Sequence, residues 1–177
     1  MTRGIVIDAS AAIALVRREP AAPDVARALR ASTSDERLVP DVFWLEIGNV
    51  LRRRYRVSPE TMVEALRELD ELGLESVRLD RALLLVAFDL TAQHRLSTYD
   101  AAYLALAEIE DAQLLTLDAE LAAAAGPRAL GVMPGPHRLA EPPATYGAEP
   151  IDWARFGPYL AQLRAAARTT EGRSSAR

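Results

Sequence analysis

The most constraining feature of the sequence is an unbroken apolar run near its beginning that ends at an acid. The run, Gly4 to Ile7, shows no alternation of apolar and polar residues, and Asp8 follows it directly. Such a run is typical of a strand covered on both faces, as in the centre of a parallel sheet. A helical segment, Ala11 to Leu15, comes next. Asp8 therefore lies at a strand-to-helix turn, where it either caps the helix or contributes to a ligand site at the carboxyl edge of the sheet.

Segments of strand and helix length alternate along the rest of the chain as far as residue 133. Strands are predicted at residues 4–7, 38–39, 76–79, 113–116 and 129–133. Helices are predicted at residues 11–15, 21–31, 42–54, 59–72, 81–94, 101–108 and 119–125. This alternation across short loops predicts a doubly wound α/β sandwich with a mostly parallel sheet, spanning residues 1–134.

Prolines mark a change of composition after the predicted sandwich. They predict a linker over residues 135–150, followed by a helical extension and a frayed tail over residues 151–177. The helix has one apolar stripe, which includes Trp153, Phe156 and Leu160. A helix of this length is marginal alone in water. We expect the stripe to pack on its own domain, on a second subunit or in a groove that a partner would otherwise fill.

The composition excludes several kinds of chemistry. The chain has no cysteine, which rules out disulfides and thiolate-bound zinc, and all 21 basic residues are arginine. The lack of lysine excludes P-loop nucleotide binding and Schiff-base catalysis. Half of the residues are hydrophobic, which indicates a globular chain. No apolar run is long enough to span a bilayer and no signal-peptide pattern is present, so we expect a cytoplasmic protein without a membrane partner.

Four acidic residues have positions of interest, and each also has a simple structural explanation. Asp8 and Asp118 follow predicted strands and could cap the helices after them. Asp100 lies three residues after Ser97, which is a variant of the capping box. Glu46 lies within a long predicted helix, where glutamates are usually solvated, although most of its neighbours are apolar. None of the four indicates a site by itself.

Considered together, the four acids predict a shared site. Asp8 and Asp118 end strands at the same edge of the sheet if those strands are parallel, and Asp100 begins a helix that leads back from that edge. Carboxylates gathered there repel one another unless a cation neutralises them. Oxygen ligands without histidine or cysteine favour Mg²⁺ or Mn²⁺. The sequence thus predicts a divalent-cation site, which Glu46 could reach from its helix.

Four segments of the sequence resemble the motifs of PIN-domain proteins. They are Ile5-Val6-Ile7-Asp8-Ala9-Ser10-Ala11, Leu45-Glu46-Ile47-Gly48-Asn49-Val50-Leu51, Ser97-Thr98-Tyr99-Asp100-Ala101-Ala102-Tyr103-Leu104-Ala105-Leu106-Ala107 and Leu115-Thr116-Leu117-Asp118. Their order and spacing are similar to those of the VapC toxins of bacterial toxin–antitoxin pairs. The resemblance extends from residue 4 to about residue 134. Such toxins usually end near the last short strand, whereas residues 135–177 follow it here.

The resemblance implies a PIN-like three-layer α/β/α sandwich and an endoribonuclease that uses Mg²⁺ or Mn²⁺ to cut structured RNA. It assigns catalysis and metal binding to the four acids, Asp8, Glu46, Asp100 and Asp118. It assigns supporting hydrogen bonds to Ser10 and Thr116, and Asn49, one helical turn after Glu46, is placed where it can hydrogen-bond that glutamate. It further implies a VapB-type antitoxin and a toxin homodimer. The alternative is a catalytically idle PIN domain that binds a metal or a partner.

An arginine run ends the predicted helix that carries Glu46. It consists of Arg52, Arg53, Arg54 and Arg56. One interpretation is a solvated helix end, where the helix dipole favours cations. The other is contact with RNA phosphates, which the net charge of −4 does not exclude because a whole-chain charge conceals a local basic patch.

Overall fold

A four-stranded sheet forms the centre of the computed structural model, which describes residues 4–32 and 36–130. Its strands are β1 (Ile5–Ile7), β2 (Arg37–Pro40), β3 (Leu74–Val77) and β4 (Gln113–Leu115). Their order is β3-β2-β1-β4, and each neighbouring pair is parallel. All three residues of β1 are completely buried. Because successive side chains of a strand point to opposite faces, both faces of the sheet are covered at β1.

Helices provide that cover. They are α1 (Ala9–Val16), α2 (Ala22–Ala31), α3 (Val42–Arg53), α4 (Pro59–Asp70), α5 (Arg81–His94), α6 (Thr98–Ile109) and α7 (Ala119–Ala125). Helix α1 packs against α2, α3 and α4, whereas α6 packs against β1, β2 and β4 and against α5 and α7. The α/β fold with a parallel sheet confirms the fold predicted from the sequence. No helix in the described residues is long and apolar enough to cross a membrane.

The order of the strands reverses direction at β1. The chain moves outward from β1 to β2 and β3, and then returns through α5 and α6 to β4 on the other side of β1. In open α/β sheets, ligands bind outside the carboxyl ends of the strands at such a point of reversal. Asp8 follows β1 there, and Thr116 follows β4. The backbone N–H of Asp8 donates to the carbonyl of Leu115 (3.0 Å), which joins the two strand ends.

Some predicted boundaries are wrong. Strand β3 was expected at residues 76–79 but spans Leu74–Val77. Gly73, with a left-handed φ of 66°, turns the chain directly before the strand, and β3 is a partly exposed edge strand whose short sequence carries little pattern. Helix α6 begins at Thr98 rather than at residue 101 because Ser97 caps it. Of the strand predicted at residues 129–133, Ala129 forms a single parallel bridge to Leu114. Residues 131–133, the predicted linker and the predicted C-terminal helix lie outside the described residues.

Candidate active site

Asp8 is buried at the carboxyl edge of the sheet. It caps α1 and is only 2% exposed. Its Oδ2 atom accepts hydrogen bonds from the Ser10 backbone N–H (3.3 Å), from the Ser10 hydroxyl and from Thr116 Oγ1 (2.8 Å). The three hydrogen bonds therefore fix the carboxylate through a single oxygen atom.

The hydrogen bonds from the hydroxyls of Ser10 and Thr116 to Asp8 have a defined donor and acceptor. Ser10 Oγ accepts from the backbone N–H of Leu117 (2.9 Å), and Thr116 Oγ1 accepts from that of Asp118 (3.0 Å). Because each hydroxyl receives a backbone proton, each is free to donate its own proton to Asp8. The two side chains thus connect the loop after β4 to Asp8, and the loop in turn carries Asp118.

The environment of Asp8 disfavours its charge. Burial is the largest influence and raises the pKa of Asp8 above its ordinary value of 3.8. The hydrogen bonds from Ser10 and Thr116 act in the opposite direction, and the nearby charge of Asp118 raises the pKa further. The net shift is upward, with burial as its main cause and repulsion by Asp118 as a smaller one.

Asp118 caps α7, whereas Asp100 lies in the first turn of α6, which Ser97 caps. Asp118 Oδ1 accepts from the backbone N–H groups of Glu120 (2.8 Å) and Leu121 (2.9 Å) at the start of α7. At the start of α6, the Asp100 N–H donates to Ser97 Oγ (3.1 Å), which donates back to Asp100 Oδ2 (2.9 Å). These hydrogen bonds hold the two carboxylates at the starts of their helices without using Asp118 Oδ2. The structural explanation is therefore compatible with a functional one.

Glu46 is held by Tyr103, for which no role was predicted from the sequence. Tyr103 is completely buried on α6, and its Oη atom donates to Glu46 Oε2 at 2.8 Å. Burial and the charges of Glu46, Asp8 and Asp100 raise the pKa of Tyr103 well above its ordinary value of 10.0. The tyrosine therefore lies among three of the four acids. We refer to the four acids and Tyr103 as the acidic site.

The chemistry of these side chains fits a hard cation, but their present positions do not form a closed coordination sphere. All four acids offer oxygen ligands, which suit Mg²⁺ and Mn²⁺. Neither Asp8 nor Asp118 forms an ion pair with a basic residue in the described part of the chain. Within residues 4–32 and 36–130, however, no three acidic or histidine side chains converge closely enough to hold a metal ion. Coordination by three of them requires at least one side chain to rotate.

The arginine run lies at the far end of α3. Because α3 begins after the carboxyl end of β2, its C-terminus points to the opposite edge of the sheet, and Arg54 is roughly 12 Å beyond Glu46 along the axis. Arg52 donates to the carbonyl of Val57 (3.3 Å). Asn49 is exposed and forms no side-chain hydrogen bond with another described residue. The arginine run therefore lies away from the edge of the sheet that carries Asp8.

Arg54 contacts the ring of Tyr55 just beyond the C-terminal end of α3. Its guanidinium lies 5.3 Å from the ring centroid of Tyr55, and that of Arg17 lies 4.9 Å from it. The Tyr55 hydroxyl donates to Glu19. These contacts give Arg54 a structural role although it is exposed, whereas the exposed Arg53 and Arg56 form no such contact with a described residue.

Comparison with known proteins identifies the family. The family model of the PIN domain matches residues 5–127. Ribonuclease VapC3 of Pyrobaculum aerophilum is 36% identical over 122 residues, which are 67% of this chain and 92% of the relative. Ribonuclease VapC1 of Mycobacterium tuberculosis is 32% identical over 122 residues, 68% of this chain and 90% of the relative.

Solved structures share the fold at lower identity. A toxin–antitoxin complex from Klebsiella pneumoniae has a TM-score of 0.56 at 17% identity and covers 72% of this chain and 96% of that one. The Mycobacterium tuberculosis VapC20 toxin, described as cleaving the sarcin–ricin loop, has a TM-score of 0.57 at 20% identity and covers 68% and 95%. At these identities the likeness concerns the fold. The family match, together with the sequence relatives, shows that this chain belongs to the PIN-domain family, among the VapC proteins.

Proposed function

We propose that this protein is a metal-dependent endoribonuclease, the toxin of a toxin–antitoxin pair, which hydrolyses RNA phosphodiesters at the acidic site. The observation that carries the proposal is the environment of Asp8. This carboxylate is buried beside Asp118, its pKa is raised, and three donors fix one of its oxygens at the reversal point of the sheet. Buried carboxylates that repel each other are costly for the fold, and a divalent cation would offset that cost.

Each residue of the acidic site has a proposed task. Asp8 is the fixed ligand, and Asp118 and Asp100 present carboxylates from the starts of α7 and α6. Glu46 completes the set and is oriented by the hydroxyl of Tyr103. A bound Mg²⁺ or Mn²⁺ would supply Lewis-acid chemistry, lowering the pKa of a water molecule and neutralising charge on the phosphate.

The relatives support the substrate and the partner. Two proteins that are 36% and 32% identical to this chain are named ribonucleases of the VapC type. We therefore propose RNA as the substrate, a VapB-type antitoxin as the inhibitory partner, a homodimer as the assembly and the cytoplasm as the compartment. For the RNA backbone we propose contacts from the arginine run, in which Arg53 and Arg56 are the best candidates because they are exposed and form no hydrogen bond or ring contact with another described residue.

A cleavage assay on pooled cellular RNA tests the proposal. The full-length protein is incubated with RNA in Mg²⁺, in Mn²⁺ and in a chelator, and Asp8→Asn is measured beside it. Asp89→Asn is the matched control, because Asp89 is an exposed acid on α5 that contacts Gln93 (2.7 Å). We expect cleavage only with metal, loss of cleavage in Asp8→Asn and full activity in Asp89→Asn. Cleavage that continues in the chelator, or in Asp8→Asn, would contradict the proposal.

The same assay addresses the idle PIN domain. That alternative predicts metal binding by the wild-type protein without cleavage of any RNA in the pool. Metal binding is measured separately, as a metal-dependent rise in melting temperature. A protein that binds metal but cleaves nothing would therefore favour the binding module over the enzyme.

A further inference from the structure

A cavity of about 390 Å³ lies beside the acidic site. Five residues line it, Val42, Leu79, Thr98, Tyr99 and Ala102. They come from the start of α3, the segment after β3 and the first turns of α6. All three places are at the carboxyl edge of the sheet, the edge at which the acids lie.

The cavity and the acidic site share two helices. On α6, Tyr99 and Ala102 directly precede Asp100 and Tyr103. Neighbours in a helix point about 100° apart, so the two pairs lie on adjoining faces of the same turn. On α3, Val42 lies one turn before Glu46 and therefore on the same face. A ligand held by the acids can thus extend into the cavity without crossing another element.

The lining of the cavity suits a flat aromatic group with a polar edge. Tyr99 lines the cavity and is 53% exposed, so a ligand can reach it from solvent. Val42, Leu79 and Ala102 offer apolar contacts, and Thr98 offers a hydroxyl that can donate or accept. The volume falls within the usual range of small-molecule sites. Aromatic side chains commonly bind single-stranded RNA by stacking on its bases, while hydroxyls read the base edges.

We propose that this cavity binds one unpaired base of the substrate RNA, adjacent to the phosphate that is cleaved, with the Tyr99 ring as its stacking surface. The inference rests on the proposed function and adds to it a site that selects the sequence at the cut. Stacking alone tolerates every base, so Tyr99 acts on specificity by holding the base in the cavity beside Thr98. Thr98 distinguishes bases by the donor or acceptor at their edge.

Nucleotide binding tests the cavity independently of cleavage. The full-length protein is titrated with the four nucleoside 5′-monophosphates and, as a base-free control, with ribose 5-phosphate, and backbone amide shifts are followed by NMR. We expect shifts at the lining residues with at least one nucleotide and none there with ribose 5-phosphate. Tyr99→Ala should weaken that binding roughly ten-fold or more, whereas Tyr99→Phe, which keeps the ring, should bind within about two-fold.

A second exposed aromatic residue provides the matched control. Phe88 on α5 is 44% exposed and does not line the cavity, so Phe88→Ala should bind nucleotides as the wild type does. Three results would overturn the proposal: no shifts at the lining residues, equal shifts with ribose 5-phosphate, or unchanged binding in Tyr99→Ala.

Cleavage mapping separates this inference from the proposed function. Cut sites in an RNA library of random sequence are compared for the wild type and for Tyr99→Ala. We expect the preference at the base beside the cut to flatten and KM to rise by a larger factor than kcat falls. A wild type that cleaves with a preference unchanged in Tyr99→Ala overturns the base site and leaves the nuclease intact. A wild type that cleaves no RNA overturns the nuclease, and nucleotide binding then decides the base site alone.

Discussion

The buried Tyr103 hydroxyl donates to Glu46 Oε2 at 2.8 Å and so joins α6 to α3 across the acidic site. Burial and three surrounding acids raise the pKa of Tyr103 well above 10.0, so the hydroxyl keeps its proton under all ordinary conditions. It is therefore a permanent donor. A helix glutamate has several rotamers available, and this hydrogen bond holds Glu46 at Tyr103, whose pKa the charges of Asp8 and Asp100 also raise.

Tyr103→Phe removes that donor while leaving the ring in the core. We expect cleavage to fall about 10- to 100-fold and the Mg²⁺ concentration for half-maximal rate to rise, because groups that orient metal ligands typically have effects of this size. The fold should remain, with a loss of stability of about 1 kcal/mol for one hydrogen bond. Cleavage rates measured across a Mg²⁺ titration, together with thermal melting, check both expectations.

Phe43→Leu provides a comparison for Tyr103→Phe, since Phe43 is a fully buried aromatic residue that has no hydroxyl. It should lower the melting temperature without shifting the Mg²⁺ dependence. If Tyr103→Phe also leaves the Mg²⁺ dependence unchanged, the tyrosine only fills the core and does not position Glu46.

Asp8→Asn should abolish metal-dependent cleavage and, in the absence of metal, raise the melting temperature at neutral pH. Burial and Asp118 raise the pKa of Asp8 in the folded protein, so the charged form is less favourable there than in the unfolded chain. Asparagine removes the charge and keeps an oxygen that can accept the hydrogen bonds of Ser10 and Thr116. Circular dichroism of both proteins in a chelator measures the difference. A variant that is inactive because it is unfolded would contradict this assignment.

The advantage of Asp8→Asn should depend on pH in a defined direction. The stabilising contribution of a protonated Asp8 is fully present below its unfolded pKa, and it is lost as the pH rises through the higher folded pKa. The difference in melting temperature between Asp8→Asn and wild type should therefore be largest near neutral pH and shrink toward about pH 4. A difference that grows as the pH falls would mean that the folded pKa is lowered.

Metal binding should stabilise the folded protein through the same carboxylates. At a Mg²⁺ concentration a hundred times its Kd, the gain is about 2.7 kcal/mol, which corresponds to roughly 5–10 °C in melting temperature. Asp8→Asn and Asp118→Asn should show a much smaller rise, and Asp89→Asn should show the full rise. Equal rises in all of these variants would place the bound metal elsewhere.

The sequence was sufficient to predict the parallel sheet and the edge of it that carries Asp8 and Asp118. An apolar run without alternation places β1 at the centre, and the chain order of strands and helices places Asp8 and Asp118 on one edge. These features follow from local patterns and from the handedness of the fold. The shifted β3 shows where such patterns fail, because an edge strand of four residues has no distinct period and its start is set by the left-handed turn at Gly73.

The arrangement inside the acidic site was less predictable. Tyr103 is three residues after Asp100, so the two share a helix face, and this spacing in a helix otherwise rich in Ala and Leu was the one available signal. Which residue it meets depends on how α6 packs beside α3, and this is a tertiary contact. The exposed Asn49 shows the converse error, in which one turn of spacing from Glu46 suggested a hydrogen bond that the packing does not produce.

The arginine run yields a prediction about salt. It lies at the opposite end of α3 from Glu46, so a bound RNA must extend along the helix to reach it. Arg53 and Arg56 are exposed, whereas Arg54 stacks on Tyr55. RNA binding is measured in an Asp8→Asn background, which prevents cleavage, with Arg53→Gln and Arg56→Gln combined. If both contact phosphates, the slope of log K against log salt should decrease by about 1 or slightly less for each.

Arg30→Gln is the control for that experiment. Arg30 is an exposed arginine in the last turn of α2, and its replacement also removes one positive charge. It should leave the slope unchanged, which separates a phosphate contact from a general effect of net charge. A slope that stays the same in the Arg53/Arg56 double variant would identify the run as solvated surface or as a contact for a protein partner. The RNA would then approach the acidic site from the α6 side, past Tyr99, and binding would depend on that ring more than on the arginines.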